Sequence, residues 1–172
     1  MSGLTEGDNN TAAGHKALYN LSTGSGNTAV GDNALNSTAT VDGNTGIGYY
    51  SGLYTTGANN TYVGYNSGKG ASGAEANNTG VGKDALLSIT TGDSNVSIGA
   101  ASGDALLAGG DNVFVGFAAG SATTGASALV CIGSAAGSGV LTTTANGSVL
   151  IGGSAGAAIT SGERNVAIGY QS

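Results

Sequence analysis

Nucleophilic and metal chemistry need clustered His, Cys and carboxylate side chains, and this chain of 172 residues is sparing with all three. His15 is its single histidine and Cys131 its single cysteine. A usual zinc set needs more such groups, and no Ser-His-Asp triad is recognisable, because His15 has no repeated acid or Ser partner. Cys131 stands between Val130 and Ile132 and reads as a small buried hydrophobe. His15, next to Lys16, reads as an exposed or capping residue. The ten acids do not recur in register, and the four bases, Lys16, Lys69, Lys83 and Arg164, are scattered. Carboxylates paired across subunits could hydrolyse glycosides, but the near-constant spacing described below leaves no insertion to build a pocket. We therefore expect no catalytic residue, no metal ligand, no cofactor and no enzyme activity. With a net charge of −6 and no basic stripe, a nucleic-acid partner is also not expected. What stands out is aromatic: five of the seven tyrosines, Tyr49, Tyr50, Tyr54, Tyr62 and Tyr65, are bunched together. With Phe117 and Tyr170 they are the candidate contact residues, for a receptor or for a subunit seam.

These residues sit on a repeat. NTAVGDNA, from Asn27 to Ala34, returns as NTGIGYYS, NTYVGYNS, NTGVGKDA, NVSIGAAS, NVFVGFAA and NVAIGYQS. The central glycines are Gly14, Gly31, Gly48, Gly64, Gly82, Gly99, Gly116, Gly133, Gly152 and Gly169, separated by 17, 17, 16, 18, 17, 17, 17, 19 and 17 residues. One and three residues before each glycine the side chain is Val, Ile or Thr in 19 of 20 cases, Ala13 being the exception. The residue between them varies freely, from Gly46 to Tyr62 to Phe114. This period of two predicts a short strand with one specified and one permissive face, and the specified face is expected to point inward. Asn occupies the fourth position before the glycine in eight of ten units, where a stacked side-chain ladder is expected. Three residues after the glycine stands only Ala or Ser, then usually Leu or Gly, then a looser segment ending in turns such as Thr56-Gly57 and Thr91-Gly92.

A unit with one definite strand and a second, weaker one predicts an all-β chain: a parallel β-roll or β-solenoid of about ten 17-residue coils. Residues 1–24 read as a degenerate first coil or N-terminal cap, and 25–172 as the repetitive roll. Glycine supplies 34 residues, charged residues only 8%, and tryptophan and proline are absent. Such a thin core predicts help from partner chains, with homotrimerisation burying the edges lined by small residues. The sequence stops three residues past Gly169, and the open end of the solenoid is expected to be covered by another protein, by continuation of the rod in a longer gene product or by trimer closure. The opening MSGLTEGDNN has neither a basic nor an apolar stretch, so a secretory signal is not expected, and no run approaches a membrane span.

The units NTAVGDNAL, NTYVGYNSG and NVAIGYQS resemble the head repeats of trimeric autotransporter adhesins, and more closely their relatives in phage tail and capsid fibres. The resemblance covers the full length. It implies a left-handed parallel β-roll of three chains, with Gly31, Gly48, Gly64, Gly82, Gly99, Gly116, Gly133, Gly152 and Gly169 as its structural marks. Adhesin repeats are shorter, and those proteins are secreted and anchored, which favours the virion branch. The expected function is thus a structural virion protein, assembled with other virion proteins in the host cytoplasm. It would be a trimeric fibre or capsid decoration that projects toward the host and contacts a cell-surface glycan or protein. Two alternatives stand beside it: a bacterial adhesin head at the cell surface, and an ice-binding solenoid suggested by rows of Thr.

Overall fold

A strand of three residues cannot hold itself together, and the repeat solves this by stacking. The computed structural model describes residues 6–70 and 73–172. Its strands are β1 (Thr11–Ala13), β2 (Thr28–Val30), β3 (Thr45–Ile47), β4 (Thr61–Val63), β5 (Thr79–Val81), β6 (Val96–Ile98), β7 (Val113–Val115), β8 (Val130–Ile132), β9 (Val149–Ile151) and β10 (Val166–Ile168). They form one parallel sheet in chain order. Each repeat position pairs with the same position of the next coil, as Thr28 with Thr45 and Val30 with Ile47. The fold is therefore the parallel β-solenoid that the repeat predicts.

One expectation about its inside is overturned. The β-branched pair of each strand points outward, and the variable residue between them points in. Ala29, Tyr62, Ser97, Phe114, Cys131 and Leu150 are all fully buried, while Ile98 keeps 42% of its surface exposed. The inner face can vary because the opposite wall and the adjacent coils compensate for it. Where the strand centre is small, at Ala12, Ala29 and Gly80, the fourth residue after the central glycine is Leu18, Leu35 or Leu86. Where the centre is Tyr62, Phe114 or Leu150, that residue is Gly68, Gly120 or Gly156. A Cβ on Gly68 would lie 2.2 Å from the Tyr62 ring, and one on Gly120 would lie 2.5 Å from that of Phe114. Where both positions are small, at Gly46 with Gly52 and Ser97 with Gly103, neighbouring coils fill the space: a Cβ on Gly52 would lie 2.6 Å from Leu35 and one on Gly103 2.7 Å from Phe114. Close packing shared between coils explains the pattern.

The second wall is not a strand. After the central glycine, left-handed residues alternate with ordinary ones, as at Asn33 (φ 54°) and Leu35 (φ 47°), so the chain cannot pleat. Its amides still bond between coils: Asn33 N–H donates to His15 O at 2.8 Å and Leu35 N–H to Ser51 O at 2.9 Å. The Ala and Ser residues on this wall are already buried within one chain, from Ala34 to Ala155, so they are not the edges that a partner chain covers. Ser51 and Ser67 donate their hydroxyls to the strand carbonyls of Tyr62 and Gly80 in the next coil, at 2.7 and 2.8 Å.

The Asn ladder is present and does two jobs. The Oδ1 of Asn10, Asn27, Asn44, Asn60, Asn78, Asn95 and Asn112 each accepts the backbone N–H of the matching residue one coil on, at 2.8–3.0 Å. The Nδ2 reaches across the coil to a turn carbonyl, for example Asn95 to Gly109 O at 2.9 Å. Each Asn thereby ties its coil both to its neighbour and to itself. The central glycines complete the stack. Gly99 has φ 134°, and a Cβ there would meet the Gly116 carbonyl oxygen at 2.4 Å.

Candidate interaction surfaces

Because the β-branched residues point outward, the sheet presents two unbroken columns to solvent. One runs from Thr11 through Thr28, Thr45, Thr61, Thr79, Val96, Val113, Val130 and Val149 to Val166. The other runs from Ala13 through Val30, Ile47, Val63, Val81, Ile98, Val115, Ile132 and Ile151 to Ile168. At about 4.8 Å per strand the columns extend roughly 43 Å. Val30, Ile47, Ile98, Ile132, Val166 and Ile168 each expose more than a third of their surface. Neither column contains a charged side chain, and residues 112–162 contain none at all. Monomers rarely leave an apolar strip of this length facing water.

Beside this face lies the position just after the central glycine, filled in turn by His15, Asp32, Tyr49, Tyr65, Lys83, Ala100 and Phe117. Successive coils bring Tyr49 and Tyr65 into a near-parallel stack, centroids 5.3 Å apart and planes 11° apart. Tyr50 leans against Tyr49 at 4.0 Å. The Lys69 ammonium sits over Tyr50 at 5.4 Å. The phenol of Tyr49 is pushed up to about 12, first by its hydrogen bond with Tyr50 and then by desolvation. Below the stack His15 Nδ1 lies within hydrogen-bond distance of Asp32 Oδ2, at 3.2 Å, and above it Lys83 and Asp84 form an ion pair at 3.1 Å.

The structure brings together three of the aromatic candidates and separates the others. Tyr54, Phe117 and Tyr170 are exposed but make no ring contact among the described residues. Tyr62 is corrected outright: as a strand centre it is fully buried, so it is a core filler and cannot touch a receptor. The signal was available, since its place between Thr61 and Val63 gives it the parity opposite to theirs. The series Gly31, Gly48, Gly64, Gly82, Gly99, Gly116, Gly133, Gly152 and Gly169 all carry φ between 128° and 138°, as coil stacking requires.

One group had no sequence signal. Glu75 is 1% exposed, and burial pushes its carboxyl up to about 7. Its Oε2, the Tyr62 hydroxyl and the Thr55 hydroxyl are buried without hydrogen-bond partners. Cys131 is buried as expected, and burial pushes its thiol up to about 12. Among the described residues no cluster of His, Cys, Asp and Glu could hold a metal, no pocket opens, and no helix is long and apolar enough to cross a membrane. Comparison with protein-family models, with curated proteins and with solved structures finds no match.

Proposed function

We propose that this chain is a stiff rod that works as a homotrimer, a structural component of a virion fibre or capsid decoration. The observation that carries the assembly is the exposed β-branched face, one column apolar throughout and the other Thr in its first half and Val in its second, with no charge along their whole length. Burying apolar surface of this kind is the main drive for association, and interface centres are depleted of charge. Three copies turned inward on this face give a closed assembly whose outer flanks remain available. The choice of three, and of a virion over a bacterial surface, is supported by the resemblance of the repeats to trimeric fibre and adhesin heads.

The mechanism is mechanical and multivalent. Backbone ladders and the Asn ladder run along the axis, so bending the rod strains bonds in every coil. Three-fold presentation then raises effective concentration for weak contacts at a host surface. Light scattering coupled to size exclusion tests the assembly: the expected mass is about 49 kDa, three times 16.2 kDa. A monomer at micromolar concentration sinks the proposal. For location, immunogold labelling of particles is expected to mark the fibre or capsid surface.

A second reading draws on the same face. Thr28, Thr45, Thr61 and Thr79 form a regular outward hydroxyl column beside Val30, Ile47, Val63 and Val81, an arrangement that could order water as ice does. The column turns to valine from Val96 onward, which shortens such a site to half the rod. An absence of thermal hysteresis eliminates it.

A further inference from the structure

We infer that the stacked-tyrosine facet of coils three and four is a binding site for a neutral glycan. It deepens the proposed role, because it rests on the flank beside the sheet face staying uncovered in the assembly. Four observations carry it.

The rings are surplus to folding. The same repeat position is met by Ala100 in coil six and Ser134 in coil eight without any change in strand register. Tyr49 and Tyr65 keep 41% and 49% of their surface exposed although they stack. The position is also rigid: each ring is fixed by a neighbour and each backbone by the coil ladder, so little freedom is lost on binding.

The chemistry around the rings is that of a sugar site. A pyranose has an apolar C–H face and a rim of hydroxyls. The tyrosines offer π surface to the first. Lys69, Asp32 and Lys83, at the margins of the stack, offer donors and acceptors to the second. Protein interfaces instead deplete charge at their centre, as the neighbouring sheet face does.

The form of the surface selects an extended ligand. No pocket opens among the described residues, so a small metabolite would stay largely solvated, whereas a polymer lying along the rod meets several coils at once. Charge selects a neutral one: the marginal acids and bases offset each other, and the chain carries −6 overall, which repels polyanions.

The test is a glycan array of neutral hexose, N-acetylhexosamine and deoxyhexose oligomers, with sulfated and sialylated members as the acidic arm. It is read for the intact chain, for Tyr65→Leu, for the Tyr49→Leu/Tyr65→Leu pair and for Phe117→Leu. Leucine keeps apolar bulk and removes the ring face, and a melting curve for each variant checks that it is folded. The expected result is binding to at least one neutral class, little changed between low and high salt. It should weaken at least tenfold in the tyrosine pair and stay unchanged in Phe117→Leu. Binding to acidic members only, binding to none, or binding that survives in the folded tyrosine pair overturns the inference. Light scattering on the same samples separates the two readings. A trimer that binds no glycan ends the site and leaves the rod, whereas a monomer that binds ends the rod and leaves the site.

Discussion

Glu75 is the residue with the most at stake alone. Its folded carboxyl sits at about 7, against an ordinary value of 4.5, because burial disfavours the charged form. A raised acid stabilises the fold fully below the unfolded value and loses that contribution as pH climbs through the folded one. The chain is therefore expected to melt lower at pH 8 than at pH 5. Glu75→Gln, neutral at both, should remove most of the difference, on the order of 3 kcal/mol at about 1.4 kcal/mol per unit. Asp104, also raised by burial, leaves a smaller slope of the same sign. Paired melting curves of the two proteins decide it, and equal slopes would reject the burial argument. Gly68 shows the opposite kind of constraint. At φ 57°, with the Tyr62 ring where its Cβ would go, Gly68→Ala is expected to destabilise by roughly 2–4 kcal/mol in denaturant titration.

The ladders belong to the scale of elements. Asn95 accepts from the Asn112 backbone and gives its amide to the Gly109 carbonyl, both buried. Asn95→Ala would strand these groups, so a loss of about 2–4 kcal/mol is expected. The same change at half-buried Asn165, whose Oδ1 has no following coil to accept from and whose Nδ2 meets the Ser148 hydroxyl and the Gly162 carbonyl, should cost under half as much. Equal losses would mean that the ladder is incidental to stacking. The Asn series was readable in advance, because a side chain fixed in type at one register position of eight coils has to serve the stack. The second wall was not. Its alternating left-handed residues, Asn33 and Leu35 among them, have no period that marks a strand or helix. What the sequence does carry there is the restriction to Ala or Ser at the buried position, from Ala17 to Ala155.

At the scale of the molecule, the outward face changes what a charge should do. Ile98→Asp combined with Ile132→Asp places two carboxylates on a half-exposed surface, where in one chain they remain hydrated. The expected outcome is a folded rod whose circular dichroism is unchanged but whose mass falls to that of one chain. Unfolding instead would mean that the face is already covered within a single chain. The converse change, Ala119→Leu, fills a fully buried site and should lower stability by about 1–3 kcal/mol with assembly intact. The pair of variants thus separates coil packing from chain packing. The Tyr49–Tyr65 stack lies at the border between the two, two residues beyond Ile47 and Val63.

The repeat by itself determined the coil, its parallel stacking, its register and the ladder of Asn. These follow from local rules: β-branched residues at a spacing of two extend, glycine is needed where φ is positive, and identical units stack in phase. Only the tertiary structure decided which face of the strand lies inside. A three-residue strand gives no context for its parity, and a uniformly β-branched pair reads equally as core or as interface. The deciding quantity was volume across the coil. Tyr62 opposite Gly68 and Ala29 opposite Leu35 fill their own coils, Leu35 and Tyr62 also fill the space left at Gly46 and Gly52, and that fit is visible only when the two walls face each other. The same fit turns the β-branched columns outward, while in-register stacking brings Tyr49 and Tyr65 together on the flank.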